Sequence, residues 1–256
     1  SMESSWPVQT EWVPPQTDNP IQNYEGTTCG GTFVDVFRRS CNTAFAEMSV
    51  TLGPDIMVDK AQDYGFNGRP PFDLPRPAVS TFGTVEFFED NIPLLAIGGF
   101  GQGETKASPL QMALVAAGVA NGGVIMEPYV VAETRGPDGN VLDRTEPTAW
   151  RTAIEPDLAA TMRDLMVEVV NDGTARCCMQ LANGVQAAAK TGTAQLNPEG
   201  APPASHAWII AFAPAEAPRY AIAVMVKAAP EVTAGTGGTV AGPIARQVLD
   251  AALALG

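Results

Sequence analysis

Ala189-Lys190-Thr191-Gly192-Thr193-Ala194 is the stretch on which the fold turns. It sits in a run, 185–195, that reads as a β-strand. A lysine inside such a run is costly to bury without a partner. Side chains alternate along a strand, so Thr191 and Thr193 present their hydroxyls on one face. Gly192 between them leaves room for another backbone to come close. The tetrad therefore describes a cationic edge strand suited to an extended peptide that ends in a carboxylate. Main-chain pairing would align the peptide and the lysine charge would hold its end. The same residues also fit an ordinary edge strand kept soluble by its lysine.

Two more strand-like runs follow, 206–213 and 220–226, separated by short loops rich in Pro and Gly. An antiparallel meander is the natural arrangement. A final helix over 242–255 carries Ile244, Val248, Leu249, Ala252 and Leu255, and is expected to cover one face of the sheet. Upstream, Thr32 with Asp35 forms a capping-box pattern that opens helical structure. Phe37, Cys41, Phe45 and Met48 then follow at helical spacing past Ser40 and Asn42. Ser108-Pro109 opens another helix that stops at Asn121-Gly122-Gly123. A further helix is expected over 156–170, and a hairpin over 124–143 turning at Pro137-Asp138-Gly139-Asn140. The proline-dense stretch around Arg69–Pro77 is a loop, and residues 1–31 are extended or loop. Helices packed on an antiparallel sheet define an α+β fold.

Composition narrows the function. With 256 residues, 45% of them hydrophobic, the chain is long enough for a large buried core. A net charge of −13 argues against nucleic acid and against adhesion to anionic lipid. No apolar run reaches the ~18 residues of a membrane span. Four cysteines, Cys29, Cys41, Cys177 and Cys178, permit one or two disulfides in an oxidising compartment and are equally compatible with small buried thiols. The adjacent pair has poor geometry for bonding to itself. With one histidine, His206, and no Cys-x-x-Cys pair, no metal site and no cofactor are expected. His206 reads as a structural histidine beside a strand. Gly101-Gln102-Gly103 lacks the βαβ frame of a nucleotide loop.

Ser40-Cys41-Asn42 alone could be a polar break, with Asn42 capping the next helical turn. Together with Lys190-Thr191-Gly192, most of a domain later, it resembles the Ser-x-Asn and Lys-Thr-Gly motifs of penicillin-binding proteins and serine β-lactamases. The neighbourhood is similar too: Gly101-Gln102-Gly103-Glu104, Ser108-Pro109-Leu110-Gln111-Met112-Ala113, Ala120-Asn121-Gly122-Gly123, Gly173-Thr174-Ala175, His206-Ala207-Trp208 and Pro243–Leu249. The chain is identified as resembling the class B transpeptidase domain, with Ser-Cys-Asn-Thr-Ala-Phe closest in wording to the actinobacterial penicillin-binding protein A type. The resemblance runs from about Asn23 to the C-terminus. Residues 1–22 are expected to be a tag-cleavage remnant plus an extended segment, and 23–256 the later portion of the domain.

The resemblance implies a peptidoglycan D,D-transpeptidase acting on stem peptides ending in D-Ala-D-Ala. It implies inhibition by β-lactams and a place on the extracytoplasmic face of the bacterial membrane. Attachment would run through an anchor outside this chain, and other cell-wall synthesis or division proteins would be partners. Mapped residue by residue, Ser40 and Lys190 form the proton-relay side of the cleft and Asn42 bonds the substrate amide. Thr191 and Thr193 hold the terminal carboxylate across Gly192, and the Thr193 N–H supplies half of an oxyanion hole. One departure stands out: no serine in the chain has lysine three positions on. The Ser-x-x-Lys nucleophile motif is therefore missing, and the fold is expected to be incomplete on its N-terminal side and this chain catalytically incompetent. A serine β-lactamase fragment is the alternative, but no Glu-x-x-Leu-Asn run lies between Asn42 and Lys190; Glu155-Pro156-Asp157-Leu158-Ala159 comes nearest. A non-catalytic penicillin-sensing or binding module is the other.

Overall fold

The computed structural model describes residues 2–196, 204–228 and 235–255. Its centre is the expected meander. Strands β9 (Ala188–Gln195), β10 (Ser205–Ala213) and β11 (Tyr220–Val226) form one antiparallel sheet in the order β11-β10-β9. The register sets Lys190 against Ile210, Thr191 against Ile209 and Thr193 against Ala207. Strand β9 is thus an edge, as its lysine implied. Three helices pack on this sheet: α5 (Pro109–Ala120), α6 (Pro156–Asp172) and α7 (Gly242–Ala254). The resulting core joins Leu165, Met166, Val169 and Val170 of α6 to Ala188, Ala189, Ile209, Ala211 and Phe212 of the strands and Leu249 of α7. Burying one such aliphatic side chain stabilises by roughly 1.5–3 kcal/mol.

Helix α7 buries a different stripe from the one its sequence suggested. Gly242, Ala245 and Leu249 face inward, whereas Ile244 and Val248 are half-exposed and Leu255 is almost fully exposed. Small residues let the helix lie close to its neighbours, and closeness wins over bulk here. The expected hairpin over 124–143 is also rearranged. Its turn is right: β6 (Glu133–Arg135) pairs with β7 (Val141–Arg144) across it. But β5 (Val124–Met126) pairs instead with β8 (Ala149–Thr152). Pro128, which has no N–H to give a ladder, separates β5 from the hairpin.

The N-terminal part is more ordered than extended loop. Strand β1 (Ser5–Gln9) pairs with β4 (Cys29–Thr32), and β2 (Glu11–Trp12) pairs with β3 (Ile21–Gln22). Thr32 then starts α1 (Phe33–Arg39) with the capping box anticipated from sequence: its hydroxyl accepts from the Asp35 amide, and the Asp35 carboxylate accepts from the Thr32 amide. That hydroxyl, followed by Arg38, holds the Asp35 carboxyl below its ordinary value. Helix α2 (Asn42–Asp63) follows, broken at Gly53-Pro54, where Gly53 takes φ 83°. Helices α3 (Val85–Glu89) and α4 (Ile92–Gly98) pack beside it through Val58, Phe82, Phe88 and Leu95. Among the described residues no helix is long and apolar enough to cross a membrane.

Cys29 and Cys41 form a disulfide that ties β4 to the start of α2. The separation of 12 residues closes a short loop, for which chain entropy alone gives about 3 kcal/mol of stabilisation. We expect the Cys29→Ala/Cys41→Ala double variant to unfold in urea at a lower midpoint, with ΔG lowered by about that amount and a slope no smaller than that of the wild type, because the uncross-linked unfolded chain exposes more surface. An equal midpoint in wild type and variant would show that the bridge constrains nothing.

Candidate active site

The residues singled out from sequence converge. Ser40, Asn42, Lys190, Thr191, Gly192 and Thr193 all line one cavity of about 480 Å³. Phe37, Arg39, Gln102, Thr174 and the turn at Thr236-Gly237-Gly238 complete its wall. No local pattern brings Ser40 and Lys190, 150 residues apart, into contact; only the family resemblance put them in one cleft. What brings them together is the docking of α1 on α6. Arg38 bonds Asp35 on its own helix and reaches Asp172, the last residue of α6, through both backbone and carboxylate. The Arg38 carbonyl accepts from the Thr174 amide at 3.1 Å. The end of α1 is thereby pinned beside β9.

Helix α1 ends on Ser40 itself, which adopts the left-handed conformation at φ 59°, ψ 52°. A non-glycine residue there costs about 1–2 kcal/mol. The turn swings its hydroxyl toward the strand, and the Lys190 ammonium donates to Ser40 Oγ at 2.7 Å. Lys190 also donates to the Thr191 carbonyl at 2.9 Å and lies 5.9 Å from the centre of the Phe37 ring. It has no ion-pair partner among the described residues. The residue keeps some exposed surface toward the cavity, but its charged end is enclosed. Burial without a carboxylate lowers its pKa to about 8. Near neutral pH such a lysine is close to the balance point at which a base accepts a proton readily.

The other expected residues take up these places. Asn42 begins α2 without capping it, and its side-chain amide donates to the Gln22 carbonyl at 3.1 Å, which fixes its orientation at the rim. Thr191 Oγ1 and Thr174 Oγ1 are 2.5 Å apart. Thr193 Oγ1 accepts from the Gly237 amide at 3.4 Å. The backbone that approaches Gly192 belongs to this chain: a Cβ on Gly237 would lie 2.0 Å from the Trp208 carbonyl oxygen and 2.6 Å from that of Gly192. Gly192 and Gly237 thus let a tight turn close over the edge strand. Thr174, Thr236, Gly237 and Phe37 were not singled out as site residues from sequence. Thr174 carried a signal in the matching stretch Gly173-Thr174-Ala175, and Phe37 as part of the apolar stripe that passes Ser40. His206 is structural: its Nδ1 accepts from the Ala228 amide at 3.0 Å. Gln102, part of the family-like stretch Gly101-Gln102-Gly103-Glu104, is a wall residue in a turn after α4.

This geometry joins two motifs and their surroundings into a single cleft, and comparison with known proteins places it. A family model described as the penicillin binding protein transpeptidase domain matches residues 7–250. The chain belongs to the penicillin-binding protein transpeptidase family. Among its relatives, the peptidoglycan D,D-transpeptidase PbpA of Mycolicibacterium smegmatis is 38% identical over 245 residues, covering 93% of this chain and 48% of that protein. PbpA of Mycobacterium tuberculosis is 37% identical over 247 residues, again covering 93% and 48%. In three dimensions the penicillin-binding transpeptidase fold is shared with penicillin-binding protein A of M. tuberculosis as its ceftriaxone acyl-enzyme complex. That match has a TM-score of 0.88 and 34% identity, and covers 99% of this chain and 56% of the other. The chain therefore spans about half the length of the relatives it matches. The expected family, its α+β fold and the likeness to the actinobacterial penicillin-binding protein A type are all borne out.

Two measurements test the site's physics. Protonated Lys190 is disfavoured in the fold, so its penalty is complete below pH 8 and disappears as the pH rises to 10.5. Stability of the wild type relative to Lys190→Met should therefore rise across that window, by about 3 kcal/mol at most. A flat difference would place the ammonium in water. Separately, Ser40→Gly should be more stable than Ser40→Ala by about 1 kcal/mol, because only glycine relieves the left-handed turn. Equal midpoints in urea would remove the strain from the account.

Proposed function

We propose that this chain is the later portion of an extracytoplasmic peptidoglycan D,D-transpeptidase domain, the kind of enzyme that cross-links stem peptides and is blocked by β-lactams. The contact that supports this most directly is Lys190 Nζ to Ser40 Oγ at 2.7 Å, inside a cavity that also presents Asn42, Thr191 and Thr193. In this reading an acylating serine attacks the penultimate D-alanine carbonyl and the terminal D-alanine leaves. An amino group of a neighbouring stem then takes the acyl group, forming the cross-link. Ser40 and Lys190 pass the proton on the leaving-group side, a role suited to a lysine near pKa 8. The Asn42 amide holds the stem's backbone. Thr191 and Thr193 bind the terminal carboxylate beside the lysine charge, and the Thr193 N–H serves as one oxyanion donor.

The names and complexes of the relatives agree with this reading, since those proteins are D,D-transpeptidases and one is seen acylated by penicillin G. Location outside the cytoplasm follows from that substrate and fits the Cys29–Cys41 disulfide. Cell-wall synthesis or division proteins belong to the same proposal as partners. The chain itself holds donor peptide without acylating, because none of its serines has the Ser-x-x-Lys setting. The β-lactamase alternative gains no support, as no glutamate among the described residues lines the cavity.

Intact-mass measurement after exposure to a slowly hydrolysed penicillin should show no covalent gain. A peptide ending in D-Ala-D-Ala should nevertheless shift the amide resonances of Thr191 and Thr193. Thr193→Val should weaken that binding by about tenfold, the worth of one hydrogen bond to a charge. A stoichiometric adduct would refute incompetence and send attention first to Ser40. Absence of any shift would remove the stem-peptide reading.

A further inference from the structure

Cys177 and Cys178 take no part in the candidate site described above. The Cys29–Cys41 bridge consumes two of the four cysteines, so these two are the chain's free thiols. They follow α6 in the loop that carries Thr174, and their sulfurs are 2.9 Å apart. Cys177 is exposed and Cys178 is buried. Cys178 Sγ lies against the turn that closes the cavity: a Cβ on Gly242 would come within 2.6 Å of it, and one on Gly238 within 3.8 Å. Gly238 would also bring a Cβ within 3.6 Å of Cys177 Sγ. Gly238 and Thr174 both line the cavity, and Thr174 bonds Thr191 of the edge strand. The two thiols thus stand directly behind the wall of the candidate active site.

Joining these sulfurs to each other is unfavourable. Consecutive Cα atoms are ~3.8 Å apart, below the ~4.4–6.8 Å that a disulfide spans. An intervening atom with two longer bonds to sulfur relieves that constraint. We propose that Cys177 and Cys178 form a dithiol site for a thiophilic centre that takes two sulfurs, such as trivalent arsenic, and that its occupation alters the cavity wall through Gly238 and Thr174. With an organoarsenic oxide the step balances without oxidation or reduction. Both S–H bonds and the arsenic–oxygen bond break, two arsenic–sulfur bonds form, and the oxygen leaves as water with both thiol protons. Reaction opens at Cys177, the exposed sulfur. Burial, with Cys177 beside it, pushes the Cys178 thiol up to about 12, so the second bond forms by local displacement once the arsenic is held next to it.

The probe is phenylarsine oxide at one equivalent with the full chain. Intact mass should rise by the phenylarsenic group less the two thiol hydrogens. A small dithiol should reverse the adduct, and a monothiol at matched thiol concentration should not, because release needs both bonds broken. Cys177→Ala, an exposed position that leaves Cys178 packed, should lose at least tenfold in affinity. Amide resonances of Thr174, Thr191 and Gly238 should shift in the wild type alone. The proposal is overturned by any of four results: no adduct, reversal by monothiol, equal affinity in Cys177→Ala, or a bridged adduct that leaves those resonances in place. It is also overturned if the untreated chain is already two hydrogens lighter than one disulfide explains and is inert until reduced.

Discussion

An enclosed ammonium without a carboxylate is the constraint around which this molecule is arranged. Among the described residues, Lys190 has a hydroxyl, a carbonyl and an aromatic face near its charge and no carboxylate paired with it. A salt bridge would have held it protonated and inert; a wholly apolar pocket would have made it neutral. Burial of the charged end, with no carboxylate among the described residues to offset it, lowers its pKa to about 8. Every element near the cavity serves to keep that arrangement. Strand β9 carries the lysine on a sheet edge, α1 delivers Ser40 to it, and the turn at Gly237 closes over it.

Delivery of Ser40 comes at a cost in backbone conformation. The hydroxyl points at the lysine because the residue ends α1 in a left-handed turn. Two fastenings hold the turn. Arg38 locks α1 to the end of α6 from one side, and the Cys29–Cys41 bridge holds the start of α2 from the other. A strained residue at a candidate site, held by firm neighbours, is a common arrangement where geometry matters more than stability. The disulfide stands at the middle residue of Ser40-Cys41-Asn42, so chain connectivity and site geometry are secured at one point.

The wall opposite α1 is built from hydroxyls and glycines. Thr174, Thr191, Thr193 and Thr236 supply oxygens, while Gly192, Gly237 and Gly238 allow backbones to meet. A wall of this kind offers main chain and small hydroxyls, the groups that pair with an extended peptide in the proposed reading. The same closeness leaves no slack behind it, so the sulfurs of Cys177 and Cys178 bear directly on the turn.

Local patterns in the sequence determined much of this protein. The lysine in a strand, the meander spacing, the Thr32–Asp35 capping box and the Ser108-Pro109 helix start depend on neighbours within a few residues, and the structure contains each of them. Ser40, Asn42 and the Lys190–Thr193 stretch were legible as site candidates through the family resemblance that the two motifs carry together, since Ser40-Cys41-Asn42 alone also reads as a polar break. What depended on distant contacts was not legible. The burial stripe of α7 was decided by how closely small residues could pack, which turned Ile244 and Val248 outward. The partner of β5 was decided by Pro128 and by a strand beyond the hairpin. Thr174 and Gly237 entered the cavity only when α6 and the turn before α7 were packed against β9. The disulfide had several possible pairings until folding set two Cα atoms 5.6 Å apart. Periodicity and capping act over one turn or one strand and are written in order along the chain. Proximity between residues 150 apart is set by the packing of whole elements, which no local pattern encodes.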